Sequence, residues 1–142
     1  HHILISGTQT GYISQLSAQH YTRVTGWDLA QNQLTCCGPA QASSESLTHA
    51  SLYQALPEIQ AIIHVHDYPQ WEYLMDVVPT TGRDVPYGTP EMALEMERLI
   101  RETAVRSRKI LVMAGHEEGI ISFGKDLAEA YDVLTTASQT VS

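Results

Sequence analysis

The chain has 142 residues, a length that fits one domain with a sizeable core, and we expect a single domain over residues 1–142. Sixteen acidic against eight basic residues give a formal net charge of −8, which argues against nucleic-acid or anionic-membrane partners, and no apolar run approaches the roughly 18 residues of a membrane helix. The only cysteines, Cys36 and Cys37, are adjacent, and they predict free thiols in a reducing, cytoplasmic compartment.

The first third of the chain predicts strands. Residues 3–6, ILIS, indicate a short strand that runs into the loop SGTQTGY. Residues 23–37, RVTGWDLAQNQLTCC, indicate two strands around an AQNQ turn.

A helix follows in residues 43–56, SSESLTHASLYQAL, where Ser43 or Ser44 can act as the cap and Glu45 lies in the first turn. Helical spacing puts Glu45 and His49 on the same apolar stripe. We interpret His49 as a packing residue of that stripe. A carboxylate at the head of an inward-facing stripe is unusual, so Glu45 is a candidate functional group.

Residues 60–66, QAIIHVH, predict a strand that ends in two histidines. Alternation along a strand puts His64 and His66 on one face, about 6.6 Å apart along the backbone. They could hold one ion between them. The alternative is that one ring packs in the core while the other faces solvent. Two imidazoles are only part of a zinc shell, so a third ligand must come from elsewhere.

The second half of the chain continues the alternation of helices and strands. Residues 88–104, GTPEMALEMERLIRETA, predict a helix capped by Thr89 with Pro90 at its first position. The apolar run KILVMAG, residues 109–115, is typical of a central strand covered on both faces. The turn GHEEG leads into the strand IISFG, and residues 125–137 predict a final amphipathic helix. This mixture favours an α/β sheet with helices on both faces.

Candidate functional groups therefore lie at the ends of helices and strands: Glu45, His64, His66 and His116. Three imidazoles and a free carboxylate match a catalytic zinc site that keeps an open coordination position.

The order and the amino-acid sequences of three segments resemble those of the class II aldolase/adducin family: SSESLTHASLYQALPEIQAIIHVH, YGTPEMALEM and ILVMAGHEEGIISFGKDLAEA. The resemblance runs from Ile3 to about Leu134. It implies a three-layer α/β/α sandwich, a homo-oligomer with a tetramer as the expected form, and active sites between subunits.

The resemblance also implies site residues. Zn²⁺, or another divalent metal, would be held by His64, His66 and His116, and Glu45 would be the acid/base. Phosphate-binding members use groups that correspond here to four residues: Thr8, Gln9, Ser43 and Ser44.

Two departures from the family pattern affect these assignments. The family's N-terminal helices and Gly-Asn phosphate loop would precede Ile3, and Gln9 stands where the family usually has glycine, so we expect phosphorylated substrates to gain little over unphosphorylated ones. Aligned backwards from GIISFGKD, Glu118 falls where the family has its third histidine. Aligned forwards from KILVMA, that position falls on His116, which we prefer because a turn absorbs extra residues more easily than a strand does.

We therefore expect a zinc-dependent lyase of the aldolase type. It would cleave or form a carbon–carbon bond in a small, sugar-like hydroxy-carbonyl substrate through a zinc-stabilised enediolate. An epimerase or a sugar-phosphate dehydratase would use the same site. A non-catalytic, adducin-like interaction domain is the third possibility, although such a domain would be expected to have lost its metal ligands.

Overall fold

The computed structural model describes residues 2–139, so the outermost positions of the predicted domain, residue 1 and residues 140–142, lie outside the described residues. Within that range the strands form two three-stranded antiparallel sheets. The first sheet has the order β1–β2–β3, with strands Ile3–Ser6, Tyr21–Asp28 and Gln33–Cys37. These strands agree with the sequence prediction.

The second sheet has the order β4–β6–β5, with strands Ala61–His66, Gly119–Gly124 and Ile110–Val112 respectively. The expectation that the KILVMAG segment forms the central strand was wrong, because β6 occupies the centre. All six residues of β6 are buried and it pairs along both edges. Strand β5 pairs with β6 along one edge, and within the described residues its other edge forms a single isolated bridge, from Val112 to Thr80.

The helices are α1 Ser46–Ala55, α2 Tyr68–Leu74, α3 Pro90–Glu102, α4 Val105–Arg108 and α5 Leu127–Gln139, with a short 3-10 turn at Ala18–His20. Helix α3 begins as predicted, since the Thr89 side chain accepts a hydrogen bond from the Met92 N–H. Helix α1 begins slightly later than predicted. Its cap residue is Glu45, whose N–H donates to the Ser43 hydroxyl.

Helices cover both faces of the second sheet. Successive side chains of a strand point to opposite faces, so neighbouring residues of β5 and β6 enter different cores. One core joins the sheet to α1 and α3, and the other joins it to α2 and α5. The first contains Leu111, Ile121 and Phe123, and the second contains Ile110, Val112 and Ile120. The predicted α/β class, with the sheet between two helical layers, is confirmed.

The first sheet packs against the outer side of α1 through a third core that includes Ile5, Val24 and Ala50. Helix α1 is therefore held from both sides, with Leu52 and Leu56 facing the second sheet. Because α1 packs on both sheets, the position of Glu45 at its start is fixed relative to the end of β4. Among residues 2–139, no helix is long and apolar enough to cross a membrane.

Candidate metal-binding and catalytic site

Three histidines from two separate segments meet at one end of the second sheet. His64 and His66 share a face at the end of β4, and His116 lies in the turn between β5 and β6. One ring nitrogen from each lies within 4.8 Å of the others. The predicted ligands are thus close enough to share one ion.

The turn that carries His116 is a compact backbone structure. The Met113 N–H donates to the Gly119 carbonyl, and the N–H groups of His116 and Gly119 donate to the carbonyls of Met113 and His116. A Cβ atom at position 119 would lie 2.7 Å from the His116 ring, so only glycine fits there. Glu117 and Glu118 lie in this turn, and His116 stays near the end of its strand.

The environment of the histidines keeps two of them neutral. Burial lowers the pKa of His64 to about 3, and the neighbouring His49, His116 and His66 rings lower it further. Burial also lowers the pKa of His116 to about 4, with a smaller effect of His66. Neutral imidazole is the form that binds a metal ion.

His64 is also oriented for ligation. Its Nδ1–H faces the Ile120 carbonyl oxygen at 3.1 Å, which leaves Nε2 as the free nitrogen. That Nε2 is buried and has no hydrogen-bond partner. Buried polar atoms are rarely left without a partner. The unpartnered nitrogen, together with the two nearby imidazoles, therefore fits a divalent ion of the zinc type.

Glu45 stands beside this cluster as a buried carboxylate. It is 2% exposed, and neither carboxylate oxygen meets the geometry of a hydrogen bond. Burial raises the pKa of Glu45 to about 7, and the nearby Thr48 hydroxyl offsets only a small part of that rise. Its Oε1 lies 3.7 Å from Nε2 of His116. Glu45 is thus placed next to the imidazoles, with a proton affinity suited to exchange near neutral pH.

Sequence reasoning did not assign a role to Tyr87, which lies at the mouth of the cluster. Its ring centre is 4.1 Å from that of His116, and about half of its surface is exposed. The preceding loop packs directly on the β5–β6 turn, since a Cβ atom at Gly115 would overlap the Val85 carbonyl oxygen. The motif YGTP that contains Tyr87 was visible in the sequence, but its contact with His116 is long-range.

The sequence interpretation of His49 as a packing residue agrees only in part with the structure. His49 is buried on the inner stripe of α1, and burial lowers its pKa to about 4. Its Nε2, however, has no hydrogen-bond partner. In the described part of the chain, His49 does not belong to the group of side chains that could share an ion.

The four predicted substrate-binding residues lie on neighbouring segments. Gly7 bridges to Ala42, and the Thr8 N–H donates to the Gln41 carbonyl at 2.9 Å, so the early loop runs beside the chain that enters α1. Gln9 has a φ of 58°, the left-handed conformation that glycine adopts easily. Substrate binding by Thr8, Gln9, Ser43 and Ser44 stays a prediction.

Comparison with known proteins agrees with this geometry. The model of the Class II Aldolase and Adducin N-terminal domain matches residues 1–141. The chain belongs to the class II aldolase and adducin family. The predicted family is therefore confirmed.

Relatives with assigned names are distant. L-fuculose phosphate aldolase of Methanocaldococcus jannaschii is 26% identical in an alignment of 102 positions that covers 63% of this chain and 52% of that protein. The class II aldolase/adducin chain described here thus spans about half the length of this curated relative.

Solved structures show the same fold. An L-fuculose 1-phosphate aldolase superimposes with a TM-score of 0.70 at 18% identity, over 98% of this chain and 68% of that one. YgbL of Escherichia coli, a candidate aldolase/epimerase/decarboxylase, superimposes with a TM-score of 0.68 at 16% identity, over 95% of this chain and 69% of that one.

Proposed function

We propose that this protein is a metal-dependent lyase of the class II aldolase type, which cleaves or forms a carbon–carbon bond in a small hydroxy-carbonyl substrate. The observation that carries the proposal is the convergence of three imidazoles within 4.8 Å beside a buried, unpartnered carboxylate. Family membership and the named aldolase relatives support it.

In this proposal His64, His66 and His116 hold one divalent ion, with zinc as the expected metal. When bound, the ion supplies a Lewis acid that stabilises the negative charge developing on the substrate carbonyl oxygen as the bond breaks. Nε2 of His64 and both carboxylate oxygens of Glu45 are buried, and the exclusion of water from these atoms strengthens the charge interactions that they make.

Glu45 acts as the acid/base. Its carboxylate oxygen accepts the proton that a substrate hydroxyl loses as the carbon–carbon bond breaks and that hydroxyl becomes the aldehyde carbonyl, and then returns the proton to the carbon atom that keeps the electron pair. In the metal-free protein burial raises the pKa of Glu45 to about 7, and a cation held by the neighbouring histidines would lower that pKa, which favours the ionised form that accepts the proton. The contribution of such a group is about 10²- to 10⁴-fold in rate. Thr8, Gln9, Ser43 and Ser44 bind the end of the substrate that lies away from the reacting bond.

An epimerase or a dehydratase is the second candidate. The same carboxylate and the same ion would serve an enediolate in either reaction. The YgbL structure, a candidate aldolase/epimerase/decarboxylase, shares this fold and supports the epimerase alternative. A non-catalytic interaction domain is disfavoured, because the cluster of three imidazoles and the raised pKa of Glu45 would have no purpose in it.

Assembly and location follow the family expectation. We propose a cytoplasmic homo-oligomer, with the tetramer as the expected form. Several large apolar side chains are exposed, among them Leu4, Leu94, Leu127 and Tyr131, and they would suit contacts between subunits.

The test is turnover of a panel of ketoses, each with and without a phosphate group, by protein loaded with zinc and by protein stripped with a chelator. We expect aldehyde release that depends on the metal. Stereochemical inversion or loss of water without cleavage would select the second candidate. No metal-dependent turnover of any substrate by a folded, zinc-loaded protein would contradict both.

A further inference from the structure

The two histidines of β4 are oriented by different kinds of group. His64 is half-buried and its Nδ1–H faces the Ile120 backbone carbonyl. His66 is more exposed, and its Nδ1 faces the Glu118 carboxylate, with 3.7 Å between Nδ1 and Oε2. A side-chain rotation that moves the Glu118 carboxylate by about 0.5–1 Å would bring Nδ1 and Oε2 to hydrogen-bond distance.

The backbone holds Glu118 in this place. Its φ is 71°, in the left-handed region that non-glycine residues seldom adopt. Its carbonyl accepts a hydrogen bond of 3.0 Å from the Asp67 N–H, directly after His66. The next residue, Gly119, lies against the His116 ring. The turn thus ties Glu118 to the end of β4, beside the exposed edge of His66.

Glu118 is not placed as a ligand. Within residues 2–139, the group of side chains whose atoms could share one ion consists of the three histidines alone. The carboxylate instead lies beside Nδ1 of His66, so Nε2 is the nitrogen of that ring that would remain for an ion. The sequence offered His116 and Glu118 as alternatives for the third metal ligand. The geometry allows both to contribute, His116 as the ligand and Glu118 as a partner of His66.

We propose that Glu118 is a positioning residue, which accepts a hydrogen bond from Nδ1–H of His66 and leaves Nε2 of that ring available to the ion. The inference rests on the proposed metal-dependent function. A carboxylate behind a metal-binding imidazole fixes its tautomer and raises its basicity, and loss of such a partner typically weakens metal binding about 10- to 100-fold.

The chain offers a matched control in Glu117, an exposed carboxylate one residue away in the same turn. Substituting Glu117→Ala removes the same charge from the same turn without touching His66. Comparison of the two variants therefore separates a specific contact from the general effect of negative charge on a cation.

The experiment is titration of metal-free wild type, Glu118→Ala, Glu118→Gln and Glu117→Ala with Zn²⁺ and Co²⁺. Circular dichroism and thermal unfolding check that each protein is folded. We expect Glu118→Ala to weaken binding about 10- to 100-fold, and Glu118→Gln, which keeps an acceptor oxygen, to weaken it less. Glu117→Ala should change the affinity by less than about threefold, as exposed charges do.

The visible absorption of bound Co²⁺ supplies a second readout, since it reports ligand geometry. It should change in Glu118→Ala and stay unchanged in Glu117→Ala. Equal weakening in both alanine variants would overturn the proposal in favour of a general charge effect. Wild-type affinity in folded Glu118→Ala would also overturn it, as would complete loss of binding, which would make Glu118 a ligand. If the wild type binds neither ion, the proposed function fails, and this inference fails with it.

Discussion

Glu45 and Glu95 are both buried carboxylates of helical segments, but Glu95 is hydrogen-bonded and Glu45 is not. Glu95, on α3, is 9% exposed and accepts hydrogen bonds from the Gly82 N–H and from the Arg98 guanidinium. These donors, Arg98 above all, lower its pKa. Glu45 is 2% exposed and has no hydrogen-bond donor on either oxygen, so burial raises its pKa to about 7.

The difference separates a structural carboxylate from a functional one. Glu95 is fully partnered and ties the loop at Gly82 to α3, which stabilises the fold. Glu45 costs the folded protein free energy in its ionised form, because within residues 2–139 its oxygens have no hydrogen-bond partner and the nearby Thr48 hydroxyl offsets only part of the effect of burial. A protein keeps such a group where substrate or metal completes its surroundings.

The largest expected effect is on activity. Glu45→Gln keeps the shape of the side chain but cannot transfer a proton, so turnover should fall by about 10²- to 10⁴-fold. Metal content and the circular dichroism spectrum should match the wild type. If the variant loses its metal, Glu45 is a ligand and another acid/base must be sought.

Glu95→Gln should affect stability instead. The substitution leaves Arg98 without its charged partner and weakens the contact to Gly82, and we expect a loss of about 1–3 kcal/mol in the free energy of unfolding. Denaturant unfolding at neutral pH measures it. Glu45→Gln in metal-free protein should be neutral or stabilising in the same assay. Equal destabilisation by the two substitutions would remove the contrast.

The two carboxylates should also give opposite pH dependences in metal-free protein. The lowered pKa of Glu95 means that its contribution is complete above about pH 4.5, its ordinary pKa, and is lost as the pH falls through the folded-state value. The raised pKa of Glu45 means that stability is lost as the pH rises from 4.5 to about 7. The upper limit is about 3 kcal/mol.

Unfolding of metal-free wild type and Glu45→Gln over that pH range tests this directly. The variant should gain stability relative to the wild type as the pH rises, because it has no carboxylate to ionise. A constant difference between the two proteins from pH 4.5 to pH 7 would show that the pKa of Glu45 is close to its ordinary value.

The smallest expected effect concerns phosphate. The Thr8 N–H already donates to the Gln41 carbonyl, so this backbone donor is occupied, whereas the Ser43 hydroxyl accepts from the Glu45 N–H and can still donate its own hydrogen. With the Thr8 N–H occupied, we expect a phosphate group to contribute little. The ratio of kcat/KM for a phosphorylated ketose to that for its unphosphorylated form should be less than about tenfold, because tenfold is about 1.4 kcal/mol and even one hydrogen bond to a charged phosphate would contribute about 1.5–3 kcal/mol. A large preference that disappears in Ser43→Ala or Ser44→Ala would contradict this expectation.

Much of the molecule follows from local sequence pattern. The alternation in AIIHVH puts His64 and His66 on one face, and helical spacing turns Glu45 inward with Leu52. These relations depend only on the geometry of one strand or helix, so the sequence is enough to predict them. The short helix α2 was missed, although Asp67 as its cap and Pro69 in its first turn were available signals.

What could not be predicted depends on contacts between distant segments. The place of β6 at the centre of the sheet is decided by pairing along both of its edges. Tyr87 reaches His116 only because its loop packs on Gly115, and Glu118 reaches His66 only across the β5–β6 turn. No periodicity in the sequence encodes such contacts.

The most direct test of the central claim is elemental analysis of wild type, His116→Ala and Glu118→Ala, each purified with zinc in excess. The account predicts about one ion per chain in the wild type and in Glu118→Ala, and none retained by His116→Ala, since two imidazoles cannot hold zinc against solvent. A wild type without metal would contradict the metal-dependent function. Metal kept in His116→Ala and lost in Glu118→Ala would contradict the three-histidine site and replace it with two histidines and a carboxylate.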